Sequence, residues 1–422
     1  MAHLDAAEAV RQRVERALAA EDVNLASEPG RERTLQVIDD VLRSYDAEAL
    51  NGQAPPLEPQ QREAVARALH DDLIGLGAIA EQMLSDPDAQ EWMVNAPKRV
   101  FRDTGQRLER VPSIAFHDDR HVRAFLDRLL EQVEGKRLDR MTPRVEARLP
   151  DGSRLTAAIP PISSSGHTIC SIRRFRLAAG DLGELVGLEF LSQEAADFLA
   201  ACVRAGKNLL VAGRVSSGKT TLLNALGRTI PGTERVVVCE SSAELHLPQL
   251  LPNCVGYEAR PGSPDGLPPV MLEDLVSDAL RMNPDRIIVG ECRGPETMAT
   301  LWAFATGHAG MTSVHGESAE HALTNLARFA LTSGARIEAD QALHWLRDID
   351  VVVHCDRPRS YASGERRFLP RRIDEIVEVT GVEGRKLTLN PLFEGAGAEL
   401  RWLGTGPAFL DELRDAGLED TA

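Results

Sequence analysis

One short run of residues has the types and the spacing needed to hold the phosphates of a nucleotide. Residues 213 to 220 read Gly-Arg-Val-Ser-Ser-Gly-Lys-Thr and match the pattern G-x-x-x-x-G-K-[ST]. In this pattern backbone N–H groups surround a di- or triphosphate, the lysine reaches the β- and γ-phosphates, and the hydroxyl binds Mg²⁺. The candidate phosphate-binding residues are Gly213, Ser216, Ser217, Gly218, Lys219, Thr220 and Thr221. Thr220 is also the candidate Mg²⁺ ligand.

Two predicted strands are followed by acidic residues that could act on a bound triphosphate. The apolar run 286–289 leads to Glu291, which could order Mg²⁺ or its water. The apolar run 236–239 leads to Glu240 and Glu244, and either carboxylate could polarise an attacking water. Taken alone, a glutamate at the end of a strand is more often a surface residue. The phosphate-binding loop upstream is what favours the functional interpretation.

A histidine follows a third predicted strand. His315 comes directly after the run 312–314, and nearby glycines would allow the backbone to approach a ligand closely. His315 could hydrogen-bond the γ-phosphate or relay its presence. A lone histidine is more often structural, and His308 with His315 supplies too few ligands for a metal site.

The elements around these residues predict how the chain positions them. The run Leu209 to Ala212 reads as a strand before the loop, and a helix begins near Thr220. The N-terminus of that helix would add a favourable dipole for a phosphate. Because apolar strands alternate with helices from here on, we expect a largely parallel sheet that binds ligands at its carboxyl edge.

Length and charge narrow the possible functions. A chain of 422 residues is expected to form two or three domains, and its net charge of −16 makes nucleic acid an unlikely partner. The six cysteines form no C-x-x-C pair, which favours buried, reduced thiols in a cytosol. The N-terminus does not resemble a signal peptide and no apolar run reaches bilayer length, so membrane contact is expected through partners.

The pattern changes twice along the chain. Residues 1 to 58 read as a helical N-terminal extension and a linker, with Val10, Val14 and Leu18 at helical spacing. Residues 59 to 177 mix short strands and helices, which predicts an α+β domain. Residues 178 to 422 carry the strand-and-helix alternation of an α/β domain.

The order of the motifs resembles one family. The phosphate-binding loop, Val-Val-Val-Cys-Glu-x-x-Ala-Glu-Leu, Arg-Ile-Ile-Val-Gly-Glu-x-Arg-Gly-Pro-Glu and Thr-Gly-His-x-Gly-Met-x-x-x-His follow one another as in the ATPases of type II and type IV secretion and pilus assembly. The chain looks most like the CpaF branch, the motor of Tad/Flp pili. The likeness spans roughly residues 65 to 395 and includes these upstream segments: 75–77, 85–88, 93–97, 148–154, 159–161 and 171–175.

The resemblance implies an α/β fold with a RecA-like P-loop motor domain after the α+β domain. It makes Lys219 and Thr220 the ligands of ATP and Mg²⁺ and Glu291 the acid of an atypical Walker B strand. Glu240 and Glu244 fall in the family's Asp box and His315 in its His box. The family's N-terminal domain supplies arginines to the nucleotide, and this role would fall to Arg154, Arg173 or Arg148, each of which could instead form a surface salt bridge.

The resemblance further implies a homo-hexamer at the cytoplasmic face of a bacterial inner membrane, bound to platform proteins of a pilus or secretion system. The chain departs from the family pattern at Ser241, at Gly316-Glu317 and at Asn283. Since Lys219 and Glu291 are kept, hydrolysis is expected to survive these departures. The alternatives are a nucleic-acid translocation motor of the conjugation type and a nucleotide-switched regulator with little turnover. No Asn-Lys-x-Asp guanine motif is evident, which favours ATP over GTP.

Overall fold

The computed structural model describes residues 2–21, 23, 28–73, 77–105, 107–174, 180–260, 262, 267–333, 338–362, 365–384 and 386–418. The chain divides into two compact units, Met1–Arg176 and Leu177–Ala422. The division of the first unit near residue 58 stays a prediction. Residues 75, 76 and 175 of the upstream family likeness lie outside the described residues.

The first unit opens with helices. They are α1 Ala2–Ala20, α2 Glu28–Leu50, α3 Pro59–Leu73 and α4 Gly77–Ser85. The helical spacing of Val10, Val14 and Leu18 is confirmed, because all three are buried in a cluster with Tyr45 and Leu69. Because Leu69 lies on α3, the helical extension shares this apolar core with the first helix after residue 58.

The rest of the first unit is an antiparallel sheet of six strands in the order β3-β2-β1-β6-β5-β4. The strands are β1 Glu91–Ala96, β2 Arg99–Asp103, β3 Leu108–Arg110, β4 Arg144–Arg148, β5 Arg154–Ala158 and β6 Ile169–Arg173. Helix α5 (Asp119–Glu131) contributes Val122 and Phe125 to the cluster that holds Trp92 and Ile172 of the sheet. This is the predicted α+β layout. The sequence did not indicate β3 and β4, which are short and rich in charged residues.

The second unit contains a sheet of nine strands in the order β17-β16-β15-β12-β7-β11-β10-β8-β9. Its strands are β7 Leu209–Gly213, β8 Val236–Glu240, β9 Cys254–Glu258, β10 Arg286–Val289, β11 Ala309–Val314, β12 Val351–Asp356, β15 Arg372–Glu383, β16 Lys386–Glu394 and β17 Arg401–Trp402. A separate hairpin is formed by β13 Arg359–Ala362 and β14 Glu365–Phe368.

The helices of the second unit are α6 Leu182–Gly187, α7 Gln193–Arg204, α8 Lys219–Gly227, α9 Leu247–Leu250, α10 Leu272–Ala279, α11 Glu296–Ala305, α12 Ala319–Thr332, α13 Ala339–Trp345 and α14 Leu410–Asp415. Two apolar clusters cover the two faces of the sheet: Leu209 and Val211 belong to one, and Leu210 and Ala212 to the other. A strand buried on both faces must be apolar throughout, which is why β7 was recognisable from sequence.

The strands from β12 to β9 run parallel, with β7 between β12 and β11. This order, with the phosphate-binding loop directly after β7, is that of a RecA-like P-loop domain. The predicted fold class is thus confirmed. The three antiparallel strands β15, β16 and β17 extend one edge of the sheet and were not predicted from the sequence. No helix within the described ranges is both long enough and apolar enough to cross a bilayer.

Candidate nucleotide-binding site

The loop between β7 and α8 has a backbone that requires glycine at two positions. Gly213 and Gly218 have φ values of 150° and 107°. A Cβ on Gly213 would lie 2.4 Å from the carbonyl oxygen of Cys355, and one on Gly218 would lie 3.0 Å from the ring of Phe190. Ser216 also has a positive φ, of 62°. The glycines of the motif are therefore needed for the shape of the loop as well as for the approach of a phosphate.

Lys219 is the first residue of α8 and is 7% exposed. Its Nζ donates to the carbonyl oxygens of Gly213 and Arg214, at 3.1 and 3.4 Å. The same Nζ lies 3.2 Å from Nδ1 of His315. The ammonium is held by the loop that it follows and by a residue from the end of β11.

His315 joins Lys219 to Glu291. An ammonium group can only donate, so Nδ1 of His315 accepts from Lys219 and a neutral ring carries its proton on Nε2. That Nε2 lies 3.2 Å from Oε1 of Glu291, and Oε1 is 3.9 Å from the Lys219 Nζ. Three residues predicted from separate motifs thus form one connected group.

The two acids after β8 have different surroundings. Oε1 of Glu240 accepts hydrogen bonds from the backbone N–H groups of Glu244 and Leu245, at 2.8 and 3.0 Å, and Glu240 is 5% exposed. Glu244 contacts the loop directly, because Thr220 Oγ1 donates to its Oε2 at 3.1 Å. Glu240 shapes the turn that presents Glu244 to the predicted Mg²⁺ ligand.

The structure brings most of the predicted site residues together at the carboxyl edge of the parallel strands. These are Gly213, Ser216, Ser217, Gly218, Lys219, Thr220, Thr221, Glu240, Glu244, Glu291 and His315. Ser217 is 1% exposed, and its hydroxyl has no hydrogen-bond partner in the part of the chain that the structure describes. Convergence at this edge is what the parallel sheet predicted.

The candidate arginines lie on the sheet of the first unit. Arg154 of β5 stands opposite Arg148 of β4 on one side and opposite Arg173 of β6 on the other. Glu91 of β1 continues the row beyond Arg173. Arg148, Arg154 and Arg173 thus form a basic strip across three neighbouring strands of the first unit. Like charges directly opposite one another destabilise a sheet, so the strip is not explained by the stability of the fold.

An ion pair that the sequence did not indicate joins Arg214 and Glu317 at the edge of the site. Arg214, inside the phosphate-binding loop, pairs with Glu317, two residues after His315. Their side chains are 46% and 61% exposed, so the pair contributes little to stability. Glu317 is one of the positions where the chain departs from the family pattern, and an acid there beside a basic residue in the loop was the available signal.

The cysteines are free thiols, as predicted. Five of the six are buried, and burial raises the pKa of Cys239 to about 12 and that of Cys292 to about 11. A thiol with so high a pKa is almost entirely protonated at neutral pH, which makes it a poor nucleophile. These buried side chains therefore act as small apolar residues of the core.

Comparison with known proteins agrees with the motifs. A family model described as "Type II/IV secretion system protein" matches residues 76–357. A putative conjugal transfer protein of Mycobacterium tuberculosis is 37% identical over 335 residues, which cover 76% of this chain and 88% of that protein. The type IV secretion system protein PtlH of Bordetella pertussis is 34% identical over 268 residues, covering 58% of this chain and 77% of PtlH.

Among solved structures, the VirB11 ATPase of the Brucella suis type IV secretion system, in complex with sulphate, is 27% identical. The match has a TM-score of 0.37 and covers 74% of this chain and 96% of that chain. The family model spans well over half of the sequence, and the mycobacterial relative matches most of its own length. The chain therefore belongs to the type II/IV secretion system protein family.

Proposed function

We propose that this protein is an ATP-hydrolysing motor that drives pilus assembly or secretion. The observation that carries the proposal is the connected group around the loop. Lys219 contacts His315, His315 contacts Glu291, and Thr220 contacts Glu244. These are the residue types that phosphoryl transfer to water requires: a cation for the phosphates, an oxygen ligand for Mg²⁺, and a carboxylate for the water.

The donors near Thr220 fit Mg²⁺. Magnesium prefers hard oxygen ligands, and a hydroxyl with nearby carboxylates supplies them. Thr220 Oγ1 would bind the ion and Glu291 would hold its water shell. Bound there, Mg²⁺ would neutralise charge on the β- and γ-phosphates.

We assign the role of positioning the attacking water to Glu244 and not to Glu240. Glu240 is buried and already accepts two backbone hydrogen bonds, which holds it in a fixed structural role. Glu244 is partly exposed and lies beside the predicted Mg²⁺ ligand. A carboxylate acting as a general base must come within hydrogen-bond reach of the water, and Glu244 is the acid placed for this.

His315 would report the presence of the γ-phosphate. The Lys219 ammonium has three donors, and its partners here include two carbonyl oxygens and His315 Nδ1. Phosphate oxygens would compete for those donors, because a charged acceptor binds an ammonium more strongly than a neutral one. The Lys219–His315 contact would then break, and the end of β11 would be free to move.

Within the family we place the chain in the CpaF branch, as the motor of a Tad/Flp-type pilus. The support is the order of motifs and the upstream segments at 85–88 and 93–97. We propose that it works as a homo-hexamer in the cytoplasm, attached to the inner membrane through platform proteins. The basic strip of Arg148, Arg154 and Arg173 would supply charge to the transferring phosphoryl group.

A motor for conjugal DNA transfer is the second candidate. The observation in its favour is the mycobacterial relative, which carries the name of a putative conjugal transfer protein. The net charge of −16 speaks against a long contact with a phosphate backbone.

The test is steady-state ATP hydrolysis as a function of protein concentration. We expect activity that rises faster than linearly, as for sites completed by assembly, and that is lost in Glu291→Gln. Glu383→Gln, an exposed glutamate at the end of β15, is the matched control and should keep full activity. Strong stimulation by single-stranded DNA that is reversed by salt would favour the conjugation motor. Tight Mg²⁺-ATP binding without turnover would refute the proposed motor and leave a nucleotide-switched regulator.

A further inference from the structure

A β-bulge in β15 places two successive acids, Asp374 and Glu375, beside other elements of the second unit. Asp374 contacts His354 of β12, and Glu375 contacts the segment that follows His315. In the pairing of β12 with β15, His354 stands opposite Glu375 and Cys355 opposite Ile373. Asp374 is therefore the extra residue of the bulge. A bulge turns a side chain away from the normal alternation of a strand, and bulges often occur beside functional sites.

Asp374 uses this turn to reach a buried histidine. Its Oδ1 lies 2.6 Å from Nδ1 of His354, which is 5% exposed. Burial alone would lower the pKa of His354, but the hydrogen bond and the charge of Asp374 outweigh burial and raise it. Nε2 of His354 has no hydrogen-bond partner among the described residues.

The second acid, Glu375, holds the segment that leads from His315 into α12. Oε2 of Glu375 accepts from the backbone N–H of Ala319, the first residue of α12, at 2.8 Å. Asn325, nearly two turns further along α12, donates from Nδ2 to the carbonyl oxygen of His315 at 2.8 Å. The segment 315–319 is thus held at His315 by Asn325 and at Ala319 by Glu375.

We propose that His354 and Asp374 are positioning residues for the nucleotide reaction: their contact fixes the bulge that presents Glu375 to Ala319, and this holds the segment 315–319 with the His315 ring between Lys219 and Glu291. This inference rests on the proposed function of the site. His354 and Asp374 contact each other, and their effect on the phosphate-binding loop would pass through Glu375 and the segment 315–319. Orientation matters because a displacement of about 1 Å at a reacting group can cost about 100-fold in rate.

The charge of the pair sets how it responds to pH. The charged groups that act on His354 are Asp374 and Glu375, both of β15. Because the folded-state pKa of His354 is raised, the stabilisation from its charged ring is fully present below the unfolded-state pKa. It is lost as the pH rises through the folded-state pKa. The segment 315–319 should therefore loosen as the pH rises through the folded-state pKa of His354.

The experiment compares wild type with His354→Gln, Asp374→Asn and the matched control His344→Gln, whose histidine is exposed on α13. Two quantities are measured in the full-length protein: kcat and KM for Mg²⁺-ATP from acid to alkaline pH, and hydrogen exchange of segment 315–319 without nucleotide. Asp374→Asn keeps an acceptor for His354 Nδ1 and serves if His354→Gln fails to fold.

We expect kcat to fall about tenfold or more in both variants with KM changed much less. The decline of the wild-type kcat as the pH rises through the folded-state pKa of His354 should disappear in His354→Gln and move to lower pH in Asp374→Asn. Exchange of segment 315–319 should accelerate at least severalfold relative to His344→Gln. Unchanged exchange together with a wild-type pH profile would overturn the inference. A wild-type protein without turnover would refute the proposed function, while the exchange measurement would still decide whether the pair holds the segment.

Discussion

The two glutamates after β8 should separate structural from catalytic function. Glu240→Ala removes a buried carboxylate that accepts hydrogen bonds from the N–H groups of Glu244 and Leu245. Each buried N–H left without a partner costs about 1–3 kcal/mol, so the loss in unfolding free energy is about 2–6 kcal/mol. The total unfolding free energy of a typical folded domain is about 5–15 kcal/mol, so this loss would be a large part of it.

Glu244 should behave in the opposite way. In Glu244→Gln the amide oxygen can still accept from Thr220 Oγ1, so the unfolding free energy should stay within about 1 kcal/mol of wild type. Turnover should nevertheless be lost while Mg²⁺-ATP binding is kept, because an amide cannot take a proton from water.

The assay is denaturant unfolding of the full-length protein together with ATP hydrolysis and nucleotide binding. Glu240→Gln, which keeps one carbonyl oxygen, tests Glu240 without removing its volume and should retain turnover when folded. A stable but inactive Glu240→Gln, or an active Glu244→Gln, would refute the assignment of the two roles.

Further predictions concern the loop, its ion pair and the thiols. Gly218→Ala should abolish nucleotide binding, measured with a fluorescent ATP analogue, because φ is 107° and the new Cβ would lie 3.0 Å from Phe190; wild-type affinity would contradict this. Glu317→Gln should change the unfolding free energy by less than about 1 kcal/mol, since its pair with Arg214 is exposed; a larger loss in a denaturant titration would show that the pair matters. Cys239 should resist a thiol reagent at pH 8 until the protein unfolds, because burial raises its pKa to about 12; fast labelling of native protein would contradict its burial.

The sequence was enough for the elements whose signal is local. The runs 209–212 and 287–289 are apolar because both faces of the sheet are covered there. The motif glycines reveal the loop for a similar reason, since Gly213 and Gly218 adopt a backbone that other residues avoid. The convergence of Glu244, Glu291 and His315 follows from a parallel sheet, in which strand ends meet at one edge.

The features that could not be predicted join residues that are far apart in the chain. The strands β15 to β17 mix charged and apolar residues without strict alternation, and Glu378 of β15 is itself buried, so their pattern resembles loops and helices as much as strands. The contact of Asp374 with His354 depends on a bulge, and a bulge leaves no periodic mark in the sequence. The distinction between Glu240 and Glu244 likewise depends on a turn whose backbone hydrogen bonds only the fold defines.

The most direct test of the central claim is ATP turnover by Lys219→Ala beside Lys386→Ala. Both variants remove one lysine, but Lys219 lies at the centre of the connected group and Lys386 is exposed at the start of β16. We predict that Lys386→Ala hydrolyses Mg²⁺-ATP at the wild-type rate and that Lys219→Ala shows none above background. Equal turnover by the two variants would contradict the claim that this loop is the site of nucleotide hydrolysis.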